Sequence, residues 1–142
     1  MIVNTVWNGK RYFLSKCPSG YNVEMDATEN YGGDSKGITP MELILVGVAG
    51  CIGIDVTMLL GKNLEKIKKM EIKTEGFRRD EMPTSFTKIE TTFTIEGNIS
   101  QERLWKAIRL GHKKYCAVSH SLNAEIDYKL NLNGNLVVEN LN

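Results

Sequence analysis

The hydrophobic and polar positions change period along the chain, and each change marks a predicted element. Ile2 to Trp7, Arg11 to Ser15 and Tyr21 to Asp26 read as strands, separated by an Asn8-Gly9 turn and a Pro18-Ser19-Gly20 turn. Together they predict a three-stranded meander. Residues Ala27 to Gly37, ATENYGGDSKG, carry three glycines and almost no apolar side chain, which predicts a loop. Thr39 then fits an N-cap, Pro40 a first helical residue, and Glu42 the first turn, where an acid faces the positive end of the helix dipole. The helix is predicted to run to about Leu60, with Gly61 as its stop signal. It is apolar almost all round, so it must be buried on nearly every side, and a second subunit could supply cover that one chain lacks.

Ile67 to Arg79 and Phe86 to Glu96 follow as a second hairpin, rich in Thr, Ile and Phe, around a turn from Asp80 to Ser85. Ser100 caps an amphipathic helix that places Leu104 and Ile108 toward the core and ends near Cys116. A short turn spans Val118 to Leu122, and Glu125 to Leu132 alternates as a final strand before a peripheral Asn-rich tail. The order of elements predicts an α+β fold.

Totals narrow the partners. A chain of 142 residues is the size of one domain, 1–142, with enough length to bury a core. A formal charge of +1, from 18 Lys and Arg against 17 Asp and Glu, gathers neither phosphates nor anionic lipid, so no nucleic acid is expected as partner. The uninterrupted apolar run between Glu42 and Asp55 suits a core helix better than a membrane span, so no membrane association is expected. The first residues lack the basic start, apolar run and small-residue cleavage site of a secretory signal, which leads us to expect a cytoplasmic protein. Three cysteines, Cys17, Cys51 and Cys116, are an odd count in a reducing compartment and argue for transient thiol chemistry rather than a disulfide framework.

Gly47, Gly50, Cys51 and Asp55 fall on one face of the long helix, a stripe almost without side-chain bulk. Gly47, Gly50 and Gly53 together cost the helix roughly 3 kcal/mol relative to alanine. Close approach of another element or a substrate would offset that cost, with Cys51 at the point of approach. A free cysteine in an apolar helix is most often a small buried hydrophobe. Cys51 is also too far from Pro40 for the helix dipole to lower its pKa, and an ionised Asp55 one turn on would raise it, so a reactive thiolate needs a cation from elsewhere.

Cys116 lies in HKKYCAVSHSL among Lys113, Lys114 and both histidines of the chain. The spacing His112-x3-Cys116-x3-His120 invites a metal reading. On a straight helix the two histidines would stand about 12 Å apart, so no metal site is expected, and no cofactor. Cys17, in KCPSG, has no obvious partner, and Arg78 and Arg79 read as a solvated hairpin tip.

The segment TPMELILVGVAGCIGIDVTMLLGKNLEKI, followed later by KKYCAVSHSL, resembles the OsmC/Ohr superfamily, with the YhfA-type OsmC-like proteins as the nearest branch. Trp7, Gly9, Phe13 and the strand order extend the resemblance over nearly the whole chain. It implies an intertwined homodimer in which antiparallel sheets wrap central helices, with active sites at the interface. It further implies a thiol peroxidase: Cys51 attacks a hydroperoxide and becomes a sulfenic acid, Cys116 condenses with it to a disulfide, and a dithiol or lipoyl-type reductant restores both. Organic hydroperoxides are the implied substrates, hydrogen peroxide a poorer one, in a stress-defence role. The family also uses an arginine and a glutamate; Arg11 is the nearest arginine and Glu42 the candidate catalytic glutamate. The family's glutamate directly follows the proline, where this chain has Met41, so Glu42 is turned about 100° from that place. The alternative is a dimer of the same fold that binds a small molecule and catalyses weakly or not at all.

Overall fold

The computed structural model describes residues 1–137 and 139, and packs as two compact units, Met1–Ile44 and a second beginning at Leu45. In the first, β1 (Asn4–Trp7), β2 (Phe13–Lys16) and β3 (Asn22–Met25) form the predicted antiparallel meander in the order β1-β2-β3. The first turn is longer than Asn8-Gly9 alone. Tyr12 N–H donates to the Gly9 carbonyl and Asn8 N–H to that of Tyr12, while Gly9 and Lys10 both take positive φ, 99° and 45°. Glycine accepts that conformation freely and lysine does not, so the bend is a built turn rather than a two-residue connection.

This sheet leaves Val6, Trp7 and Phe13 exposed and buries two polar side chains, Ser15 and Asp26. Asp26 organises the loop that follows. Its carboxylate accepts backbone N–H groups from Ala27 at 2.8 Å, Asp34 at 3.0 Å and Lys36 at 3.1 Å, folding the glycine-rich stretch back on itself. A Cβ on Gly33 would collide with the Ala27 carbonyl, so the close return requires glycine there. Burial alone would push the Asp26 carboxyl up; the three amides outweigh it and hold the group below the ordinary carboxylate range.

The long helix, α1 (Pro40–Leu60), begins as its residues dictate. Thr39 Oγ1 accepts the Glu42 N–H at 3.4 Å, and the Glu42 carboxylate accepts the Thr39 N–H at 2.8 Å and its hydroxyl at 2.7 Å, a reciprocal capping box. Gly61, at φ +51°, ends the helix.

In the second unit, β4 (Ile67–Arg78) and β5 (Phe86–Gly97) pair antiparallel as predicted. Arg78 and Arg79 lie at the tip of that hairpin, where Arg78 Nε donates to the Thr84 carbonyl at 2.8 Å and the Arg79 amide to that of Ser85 at 3.1 Å. The sheet is not wholly antiparallel. β6 (Glu125–Leu132) runs parallel to β5, because the chain between them crosses back through α2 (Gln101–Leu110), one π turn (Gly111–Tyr115) and the single-turn α3 (Ala117–His120). The tail also differs from expectation: Asn133-Gly134, at φ 51° and 83°, turns the chain into β7 (Asn135–Val137), an antiparallel partner of β6. The sheet order is β4-β5-β6-β7, and the architecture is α+β with one antiparallel and one mixed sheet.

Alternation along β5 decides where the core lies. Ile89, Thr91, Phe93 and Ile95 point inward and are completely buried, whereas Lys88 and Glu90 on the other face pair with Asp127 and Lys129 of β6. Against the inner face pack Ile52, Val56 and Leu60 of α1, with Leu104, Trp105, Ala107 and Ile108 of α2. By length and composition α1 could cross a membrane, yet Val48, Ile52, Val56 and Leu60 recur one turn apart and are buried in their own chain.

Candidate functional site

The small residues of α1 let neighbouring elements close in around Cys51. A Cβ on Gly47 would lie 3.6 Å from Val118 of α3, and one on Gly53 would lie 2.8 Å from the tip of Ile72 on β4. Gly111 brings the π turn against the other side: its notional Cβ stands 3.0 Å from Ile52 Cδ1 and 3.5 Å from Asp55 Cβ. Gly50 faces open space. The expected close approach is therefore made by a strand, a single-turn helix and a π turn at once.

Their convergence carries Cys116 to Cys51. The π turn closes with the Cys116 N–H donating to the Gly111 carbonyl at 2.8 Å, and Cys116 then leaves helical geometry at ψ 90°. The sulfurs of Cys51 and Cys116 and one carboxylate oxygen of Asp55 all lie within 4.8 Å of one another, with Cys51 Sγ 4.0 Å from Asp55 Oδ2. Cys116 is fully buried, while Cys51 and Asp55 are half-buried. Both sulfurs are free thiols. Burial pushes the Cys51 thiol up; the Val118 backbone N–H opposes this, and Cys116 and Asp55 push further upward. None of these groups is a cation.

Around this centre stands a polar arc that the sequence reading missed. The Tyr128 hydroxyl of β6 meets His112 Nδ1 at 3.1 Å, and His120 Nε2 donates to the His112 carbonyl at 2.8 Å. Burial raises the Tyr128 hydroxyl far above its ordinary range, and charge on Cys116 and Cys51 adds to it. His112 is held low by burial and by the nearby His120 and Lys113, so a neutral imidazole accepting from Tyr128 is the consistent arrangement. The straight-helix distance between the histidines is corrected: the break at Cys116 folds the chain back and stacks the two rings with centroids 5.8 Å apart. One nitrogen of each ring is engaged in these hydrogen bonds. The donor set gathered with Cys116 is Cys51 and Asp55.

Of the other candidates, Glu42 belongs to the capping box at the start of α1, with its carboxyl held below the ordinary range by the Thr39 hydroxyl and amide. Arg11 lies in the turn between β1 and β2, and Cys17 closes the next turn, its N–H donating to Tyr21 O at 3.0 Å.

Comparison with known proteins places these features in a family. A family model described as OsmC-like protein matches residues 32–131. Protein YhfA of Escherichia coli K12 is 33% identical over 116 residues, which is 81% of this chain and 84% of YhfA. A hypothetical protein from Aquifex aeolicus has a crystal structure that superposes with a TM-score of 0.76 at 29% identity, covering 92% of this chain and 96% of that one. An organic hydroperoxide resistance protein from Elizabethkingia anophelis shares the fold at a TM-score of 0.65 and 18% identity, covering 93% and 95% of the two chains.

Proposed function

The chain belongs to the OsmC-like protein family, and from that membership we propose that it is a thiol-dependent peroxidase working through Cys51 and Cys116. The observation that carries this reading is the separation of the two sulfurs, at most 4.8 Å, on elements 65 positions apart in the chain (51 to 116). Disulfide geometry needs sulfurs about 2.05 Å apart, a distance that side-chain rotation and a small shift of the Cys116 loop can close.

In the proposed reaction the Cys51 thiolate attacks the distal oxygen of a hydroperoxide. The O–O bond breaks, Cys51 becomes a sulfenic acid, and the alkoxide takes a proton to leave as the alcohol. The Cys116 thiolate then attacks the Cys51 sulfur and expels hydroxide, which leaves as water once protonated, and the disulfide forms. A dithiol returns both cysteines to thiols and is itself oxidised. Organic hydroperoxides are the proposed substrates, a lipoyl-type dithiol the reductant, and the cytoplasm the setting. Assembly as a homodimer belongs to the same reading, supported by the exposed Val46, Ile54 and Met58 on α1. Glu42 remains a candidate contributor from the start of α1; Glu42→Gln separates a catalytic carboxylate from one that only caps the helix.

The test is a peroxide assay with tert-butyl hydroperoxide and hydrogen peroxide, using dihydrolipoamide or dithiothreitol as reductant. Cys51→Ser should lose all turnover, and Cys116→Ser should accumulate overoxidised Cys51. Undiminished activity in Cys51→Ser would sink the proposal, and an intramolecular disulfide persisting in Cys116→Ser would move the resolving role to Cys17. The raised Cys51 thiol supports a second reading, a dimer that binds a small molecule without efficient turnover. Slow alkylation of Cys51 at neutral pH, together with a ligand retained by the native protein, would favour it.

A further inference from the structure

Two thiols and a carboxylate converge in the second unit, and no cation is among the groups that act on Cys51. Ionised together, such donors repel one another in a half-buried setting, and the apo protein relieves this by keeping the Cys51 thiol protonated. A thiophilic divalent metal relieves it differently, by replacing the protons. We propose that the reduced protein binds zinc through Cys51, Asp55 and Cys116, leaving a fourth position open to water.

The geometry fits the metal. Cys51 and Asp55 stand four positions apart on α1, the spacing that presents two ligands from one helical face, and the break after the π turn supplies the third from a separate element. Tetrahedral zinc holds sulfur and oxygen donors about 3.5–3.8 Å apart, given bond lengths of about 2.3 Å to sulfur and 2.0–2.2 Å to oxygen. The three donor atoms already lie within 4.8 Å, and Cys51 Sγ to Asp55 Oδ2 is 4.0 Å, so rotation about the side-chain bonds closes the set. Two thiolates with one carboxylate favour zinc over magnesium or calcium, which prefer all-oxygen sites. The expectation from sequence was of no metal, because His112, Cys116 and His120 cannot share an ion on a straight helix; the structure replaces both histidines in that set.

This site shares its cysteines with the proposed peroxidase and does not depend on that activity. Zinc on the reduced pair would hold both sulfurs as metal thiolates and keep Cys116 from reaching a Cys51 sulfenic acid. A Cys51–Cys116 disulfide would leave Asp55 as the sole donor, so zinc and oxidation compete for the same two atoms.

The experiment uses untagged, reduced, full-length protein titrated with Co²⁺ as a spectroscopic stand-in, then with Zn²⁺ to displace it. The expected result is one equivalent bound, with visible bands of tetrahedral cobalt and a near-ultraviolet sulfur-to-cobalt band that Zn²⁺ abolishes. Cys51→Ser and Cys116→Ser should each lose at least half of the sulfur band. Asp55→Asn should keep the sulfurs and bind about tenfold more weakly or worse, a scale on which even supporting groups around a metal count. Circular dichroism of each variant checks that it folds, and protein oxidised with diamide checks that the disulfide form no longer binds. Absence of the sulfur band in reduced protein would overturn the proposal, as would a band unchanged in Cys51→Ser or removed by Cys17→Ser or by His112→Ala with His120→Ala. A protein with the cobalt spectrum and no peroxidase turnover would leave this site standing and remove the peroxidase; the reverse result would do the opposite.

Discussion

On α1, Val48, Ile52 and Val56 have lost all solvent exposure, whereas Val46, Ile54 and Met58, equally apolar, keep 56%, 62% and 73% of theirs. The two sets lie on one helix and differ in what their own chain offers them. The first meets Phe93, Ile95 and Leu130 of the sheet and Leu104 and Ile108 of α2. The second projects outward, and Cys51 lies at the border between them, half-buried. Apolar character alone therefore does not decide burial; the packing partner does. A helix that is hydrophobic all round satisfies one side within the chain and leaves the other for whatever the proposed dimer brings.

The contrast can be broken most severely from the outer face. Ile54→Asp with Met58→Asp places two charges where the proposed partner packs and should convert the dimer to monomer, read by light scattering; an unchanged mass would remove this face from the interface. From the inner face, Ile52→Ala should cost about 2–5 kcal/mol in urea unfolding, through lost burial and the cavity left behind. That cost should be the same in a monomeric background if the two faces are independent.

A smaller effect sharpens the comparison at the open position of the stripe. A Cβ on Gly50 meets nothing within 4 Å in its own chain, so Gly50→Ala should stabilise the monomeric background by up to about 1 kcal/mol. In the dimer the same methyl should weaken association if the partner lies against the stripe, and concentration-dependent melting separates the two contributions. The smallest effect concerns pH. Asp26 and Glu42 both have carboxyls held below their ordinary range in the folded state. Their contribution is fully present above the unfolded carboxyl pKa, about 4, and is lost as the pH falls through the lower folded values. Unfolding below pH 4 should therefore be steeper in the parent than in Asp26→Asn or Glu42→Gln, with the inner face of α1 contributing no such dependence.

Local chemistry made much of this fold legible. Thr39, Pro40, Glu42 and Gly61 mark the limits of α1 because capping and glycine termination need only neighbouring residues. The β4–β5 hairpin followed from its composition and intervening turn. The β6–β7 hairpin carried the same kind of signal, Asn133-Gly134, hidden in a polar tail that read as peripheral. Parallel pairing of β5 with β6 was not legible, since it depends on how the helical crossover packs rather than on either strand. For the site, the spacing of Cys51 and Asp55 placed them on one helical face, and family resemblance pointed to Cys116. The arrival of Cys116, and the folding back of His112 and His120, follow from a helix break that no periodicity announces. Tyr128 was missed because alternation on a strand assigns a residue to a face without revealing which polar group waits there.

The π turn from Gly111 to Tyr115 makes chain length itself a variable in this molecule. Such a turn holds one residue more than α geometry would over the same span. Deleting a single position there would let the segment relax to an ordinary helix and swing everything after it by about 100°. Cys116 would then face away from Cys51, though every side chain of the pair was still present. Homologous chains one residue shorter at this point would carry the same cysteines and lack their meeting.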